Sequence, residues 1–109
     1  MSFDAQLLAN SVLLSGVTTG TGTALYVGGG KIATFYLTAT GTVSAGKIQI
    51  ESATSESFAG TWSPIVAEQT LVTDKCITVV YSGPLLWVRA RVSTNVTGGA
   101  TATVVMAAN

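Results

Sequence analysis

Histidine is absent from this chain, and cysteine occurs once. Without an imidazole there is no histidine general base and no His-containing catalytic triad. One thiol and no imidazole cannot build a zinc centre of the usual kind, and a lone cysteine excludes an internal disulfide. Charge is scarce as well. Five Lys/Arg balance five Asp/Glu, so charged residues make up 9% of the 109 positions, against about 25% in an ordinary domain. The zero net charge lacks the basic excess with which nucleic-acid binders displace counterions. No apolar run approaches the ~20 residues of a membrane helix. The opening MSFDAQLLAN carries Asp4 where a signal peptide carries Lys or Arg, so synthesis and folding in a cytoplasm are expected. No cofactor, nucleic acid or membrane is expected as a partner.

Hydrophobic residues account for 48% of the chain, alongside 12 glycines and many Thr and Ser. That is a folded composition, since disorder goes with low hydrophobicity and high net charge. The length suits one domain, which would bury roughly 65% of the surface its unfolded chain exposes. An uncharged, Thr-rich surface gains little protection from self-association. Coverage by neighbouring proteins is therefore expected, with an ordinary soluble monomer as the alternative.

Alternation with period two dominates. In IATFYLTAT, Ala33, Phe35, Leu37 and Ala39 share one face, and Thr34, Tyr36, Thr38 and Thr40 share the other. This is the pattern of a half-buried strand. After GTVSAG, the run KIQIE points Ile48 and Ile50 inward and Lys47, Gln49 and Glu51 outward. The two strands read as neighbours across a short loop. A polar stretch, Ser52 to Gly60, leads into TWSPIVA, where Pro64 favours an edge or a strand end. EQTLVT and KCITVVYS follow, split near Asp74, with Cys76 expected to be a buried thiol. Beyond the Gly83-Pro84 turn, LLWVRARVS places Leu86, Val88, Ala90 and Val92 inward and Trp87, Arg89, Arg91 and Ser93 outward. Gly98-Gly99 turns the chain into the closing strand ATATVVMAA.

Near the start, a strand is expected around Ala24 to Val27. AQLLANSVLLSG fits a short helix or a strand. The whole reads as an all-β chain of about seven to eight short strands: an antiparallel β-sandwich, jelly-roll or Ig-like. Residues 1–16 form an N-terminal segment, either a docking arm or a first strand, and residues 17–109 form the sandwich.

Reactive constellations are hard to find. Glu51 and Glu56 are the one close carboxylate pair, as a glycosidase would need, but solvated surface charge is the simpler reading. TGTGTAL lacks the third glycine of a dinucleotide fingerprint. GGGK (Gly28 to Lys31) is followed by Ile32 where a phosphate loop needs Ser or Thr. Both read as turns. Tyr26, Tyr36, Trp62, Tyr81 and Trp87 are candidate surface aromatics, suited to a sugar platform, but packing at strand ends, in the core or in a protein interface, which favours Trp, Tyr and Arg, is the preferred reading. Arg89 and Arg91 share a face with Trp87, where a cation–π contact or salt bridge across an interface and plain solvation are both open. Phe3, Leu7 and Leu8 make the N-terminal segment apolar enough to need covering.

The order of IQIESATSESFAGTWSPIV, GPLLWVRARVST, a Gly-Gly turn and ATATVVM resembles small β-sandwich structural proteins of tailed bacteriophages. The resemblance spans roughly residues 24 to 107, and no binding site is carried over with it. It implies a non-enzymatic virion protein, most like a capsid decoration (cement) protein. Its partners would be a major capsid protein or other virion proteins, and its state a homo-oligomer, with a trimer favoured. A tail, baseplate or fibre component is the nearest alternative, and a carbohydrate-binding module is the alternative of a different class. The interface candidates are Phe3, Leu7, Leu8, Tyr36, Trp62, Trp87, Arg89 and Arg91.

Overall fold

The computed structural model describes residues 11–28 and 32–108. Phe3, Leu7 and Leu8, and most of the GGGK motif, lie outside these residues. Among the described residues all regular structure is extended: β1 (Ser11–Val17), β2 (Leu25–Tyr26), β3 (Ile32–Thr40), β4 (Ala45–Ala53), β5 (Ser63–Pro64), β6 (Gln69–Thr70), β7 (Cys76–Ser82), β8 (Trp87–Thr97) and β9 (Thr101–Ala108). The stretch that fitted helix or strand is therefore strand from Ser11 onward. It pairs with β9.

Two antiparallel sheets form a sandwich. The first has the order β1-β9-β3-β7. The second has the order β2-β8-β4-β5, with β6 also pairing to β4. Apart from β4, β5 and β6, which share the second sheet, each strand lies in the opposite sheet from the one before it. That winding is the jelly roll, one of the two sandwich types expected.

The winding corrects one expectation. β3 and β4 are not paired neighbours. β3 lies between β7 and β9, and β4 pairs with β8, β5 and β6. Period-two alternation tells which face a residue takes, not which strand lies beside it. The Gly41–Ser44 link therefore reads equally as a hairpin or as an arch between sheets. Here it is an arch. Asp74, at φ 48, locks it from the β6–β7 turn. The Gly41 N–H donates to Asp74 Oδ1 at 2.7 Å, and the Val43 N–H donates to Thr73 Oγ1 at 2.9 Å. The second arch needs Gly98, at φ 100. A Cβ there would stand 2.6 Å from the Ser44 backbone nitrogen, a distance no side chain tolerates.

Alternation otherwise assigns the core well. Phe35, Leu37, Ile48, Ile50, Val88, Val104 and Met106 are fully buried between the sheets. Each of the larger ones stabilises the fold by roughly 1.5–3 kcal/mol through burial. Two positions depart from the expected pattern. Leu86 is 44% exposed and Leu85 is buried instead. β8 starts only at Trp87, so the alternation does not extend back into the turn. Cys76 is exposed, not buried: the inward positions of β7 are Ile77, Val79 and Tyr81, which leaves Cys76 facing out.

Candidate functional site

Among the described residues, the outward face of the second sheet carries Lys47, Glu51, Glu68, Arg89 and Arg91 and both tryptophans. It is built by the pairing of β4 with β8, which sets Glu51 opposite Arg89 and Gln49 opposite Arg91. Arg89 Nε donates to Glu51 Oε1 at 2.9 Å, and Arg91 Nε donates to Glu51 Oε2 at 3.0 Å. Each carboxylate oxygen thus takes one charge-assisted hydrogen bond.

Trp62 closes the site from the side. The polar loop after β4 folds back so that its indole N–H donates to the Phe58 carbonyl at 2.9 Å. Its ring lies 4.2 Å from the Arg89 guanidinium carbon, a cation–π stack. Under this cover Glu51 is only 4% exposed and Trp62 only 3%. One expectation is corrected here: Glu51 is not a solvated charge. Of the readings open for Trp62, the packed one fits. Both belong to a small polar core on the outside of the sheet. Glu56 lies in the loop and is exposed, as expected.

At the next outward position along β8, Trp87 pairs with Tyr26 of β2. The ring centroids are 5.2 Å apart and the planes tilted by 54°, an arrangement aromatic quadrupoles favour. Tyr26 is 56% exposed. In the opposite direction Ser93 hydrogen-bonds Glu68, which also lies 3.9 Å from Lys47 Nζ. The stripe along β8 therefore runs aromatic, cationic, cationic, polar. Arg89 makes its cation–π contact with Trp62 and not with Trp87, and both arginines form their salt bridges within one chain.

Chemically, the arrangement is a three-member ion-pair cluster. Both oxygens of Glu51 are engaged by fixed guanidiniums, and the two arginines outweigh it by one positive charge. Each arginine is anchored through Nε. Among the described residues, the outer nitrogens of both make no hydrogen bond, and 40% of the Arg91 side chain is exposed. The outer guanidinium edge, beside exposed Tyr26 and half-buried Trp87, suits a carboxylate or carbonyl oxygen.

Tyr36, the remaining interface candidate, is on the other side of the molecule. It stands on the outward face of the first sheet among Thr34, Thr38, Thr78 and Val105. Among the described residues, no charged side chain occupies an outward position of β3, β7 or β9. The interface candidates are thus divided between two faces, with Tyr36 apart from Trp87, Arg89 and Arg91.

No protein-family model matches the chain, and no curated protein matches it. In structure it is similar to YomS, a protein derived from the SPBc2 prophage. The TM-score is 0.62 and the sequence identity 13%, over 90% of this chain and 89% of that one. At that identity the likeness is one of fold.

Proposed function

We propose that this chain is a non-enzymatic structural protein of a phage particle, attached to its partner through the outward face of the β2-β8-β4 sheet. The observation that carries this reading is the β8 stripe, in which Trp87, Arg89 and Arg91 are contacted by Tyr26, Glu51 and Trp62. Trp, Tyr and Arg are the residues that dominate binding energy at protein interfaces. The phage setting is supported by the fold shared with a prophage-derived protein and by the sandwich resemblance in the sequence. Within a particle, decoration of the capsid is the preferred place, because repeated copies let modest contacts add through avidity. A tail or fibre position uses the same chemistry at lower copy number.

The test is binding of purified chain to particles that lack it. Wild-type chain should bind saturably. Trp87→Ala and Arg91→Glu should each weaken binding about 10-fold or more, as truncated hot spots do, while the folded spectrum is kept. Binding that is absent, or unaffected by both changes, overturns the assignment of this face. A glycan that binds the chain and is lost with Trp87→Ala would favour the carbohydrate reading instead.

A further inference from the structure

A sandwich has four sheet edges, and natural proteins blunt such edges against pairing with other chains. Among the described residues, three of the four are blunted. β1 is broken by two register shifts against β9. β2 has only two residues in its ladder. β5 and β6 together form an interrupted edge along β4, and β5 contains Pro64. β7 is different. It runs seven residues without a bulge, a proline or a charge, and its register against β3 is unbroken from Ser82 to Cys76.

The direction of its free backbone groups follows from the ladder. The Ala39 N–H donates to the Lys75 carbonyl, which makes Lys75 and Ala39 a hydrogen-bonded pair. Antiparallel ladders alternate between bonded and non-bonded pairs. Ile77, Val79 and Tyr81 therefore bond inward to β3. The N–H and C=O groups of Cys76, Thr78, Val80 and Ser82 point off the sheet, and among the described residues none of them meets a backbone partner. The core is also unfinished along this strand. Ile77, Val79 and Tyr81 pack on it but stay half-buried, whereas their β3 partners Leu37, Phe35 and Ala33 are sealed. On the outward side Val80 is 57% exposed.

We propose that β7 is a pairing edge and that its partner is β7 of a second copy, antiparallel across a two-fold axis at Val79. This register sets Cys76 opposite the partner's Ser82, and Thr78 opposite the partner's Val80. All four outward-facing residues of each strand are then matched, giving about eight backbone hydrogen bonds, two per bonded pair. Val79 faces its own copy and Ile77 faces the partner's Tyr81 as close non-bonded pairs, which covers the half-buried positions. The strand has no charge to repel its copy, and Lys75 of each chain falls beyond the opposite end of the other's strand. The two four-stranded sheets become one of eight. Such a contact is isologous and closes at two copies, unlike the trimer that the sequence resemblance implies. A single edge of about 24 Å, seven residues at ~3.4 Å each, buries less than the roughly 800 Å² per partner of a standard stable interface. The dimer is accordingly weak and reversible.

Sedimentation of the purified chain up to about 1 mM tests this, together with three variants. Thr78→Pro removes only an outward N–H, a place where edge strands accept proline, and should raise the dissociation constant about 10-fold or more. Thr78→Lys with Val80→Lys places like charges opposite one another and should do the same, which covers the case in which the proline variant fails to fold. Ser82→Cys sets a second thiol opposite Cys76 of the other copy and should give a covalent dimer on oxidation, and the wild-type chain should not. A strict monomer over the whole range, with no oxidative cross-link in the Ser82→Cys variant, overturns the proposal. So does a dimer that both Thr78→Pro and the double lysine variant leave unchanged.

Discussion

Glu51 is almost wholly out of water and accepts from two guanidiniums, so its removal strands two partly buried cations. Breaking a fully buried pair costs about 3–5 kcal/mol, and a surface pair about 0–1 kcal/mol. With the arginine side chains 24% and 40% exposed, Glu51→Ala should cost about 2 kcal/mol, between those limits, measured by urea unfolding. Glu56→Ala, in the exposed loop, should cost less than about 0.5 kcal/mol. Trp62→Phe keeps a ring beneath Arg89 but loses the N–H bond to Phe58, and should cost about 1 kcal/mol. The alternation showed that Glu51, Arg89 and Arg91 each face outward. It did not show that β4 lies beside β8 with Glu51 opposite Arg89. Lacking that register, an outward glutamate looks solvated. Trp62 was hidden for a related reason: its burial depends on a loop folding back over a face, and no periodicity records that.

The strands themselves were legible because alternation survives wherever one face is buried. The inward residues expected for β3, and Ile48 and Ile50 of β4, are buried, and the closing strand β9 lies where it is expected. The inward positions Val88, Ala90 and Val92 of β8, and the edge position of Pro64, were read correctly too. Partners were not legible, because an arch and a hairpin use the same turn residues. Gly98 carries one arch, and two substitutions separate its roles. Gly98→Ala meets both an unfavourable φ and the Ser44 backbone, and should cost about 3 kcal/mol or more. Gly99→Ala has a similar φ of 102 with open space around it, and should cost only the strain, about 1–2 kcal/mol. A calorimetric comparison of the two checks this. Equal losses would mean that the close approach to Ser44 does not matter.

At the scale of the whole molecule, two sheets with different surfaces enclose one core. The first sheet turns an uncharged threonine, valine and tyrosine face outward. The second turns out the fixed arginines and the aromatic pair. The composition foretold the first face, since so few charges cannot cover a sandwich. The second gathers Lys47, Glu51, Glu68, Arg89 and Arg91, and the proposed β7 pairing would use a separate edge. On the function proposed above, these surfaces are the contacts of a protein held in an assembly. Counting the copies of this chain per purified phage particle, by quantitative peptide mass spectrometry, bears on that claim without intermediates. A fixed copy number that survives repeated purification is expected, in the hundreds for a chain repeating over the whole head through many weak, avid contacts. Chain that is abundant in the infected cell but missing from purified particles would refute the assembly role.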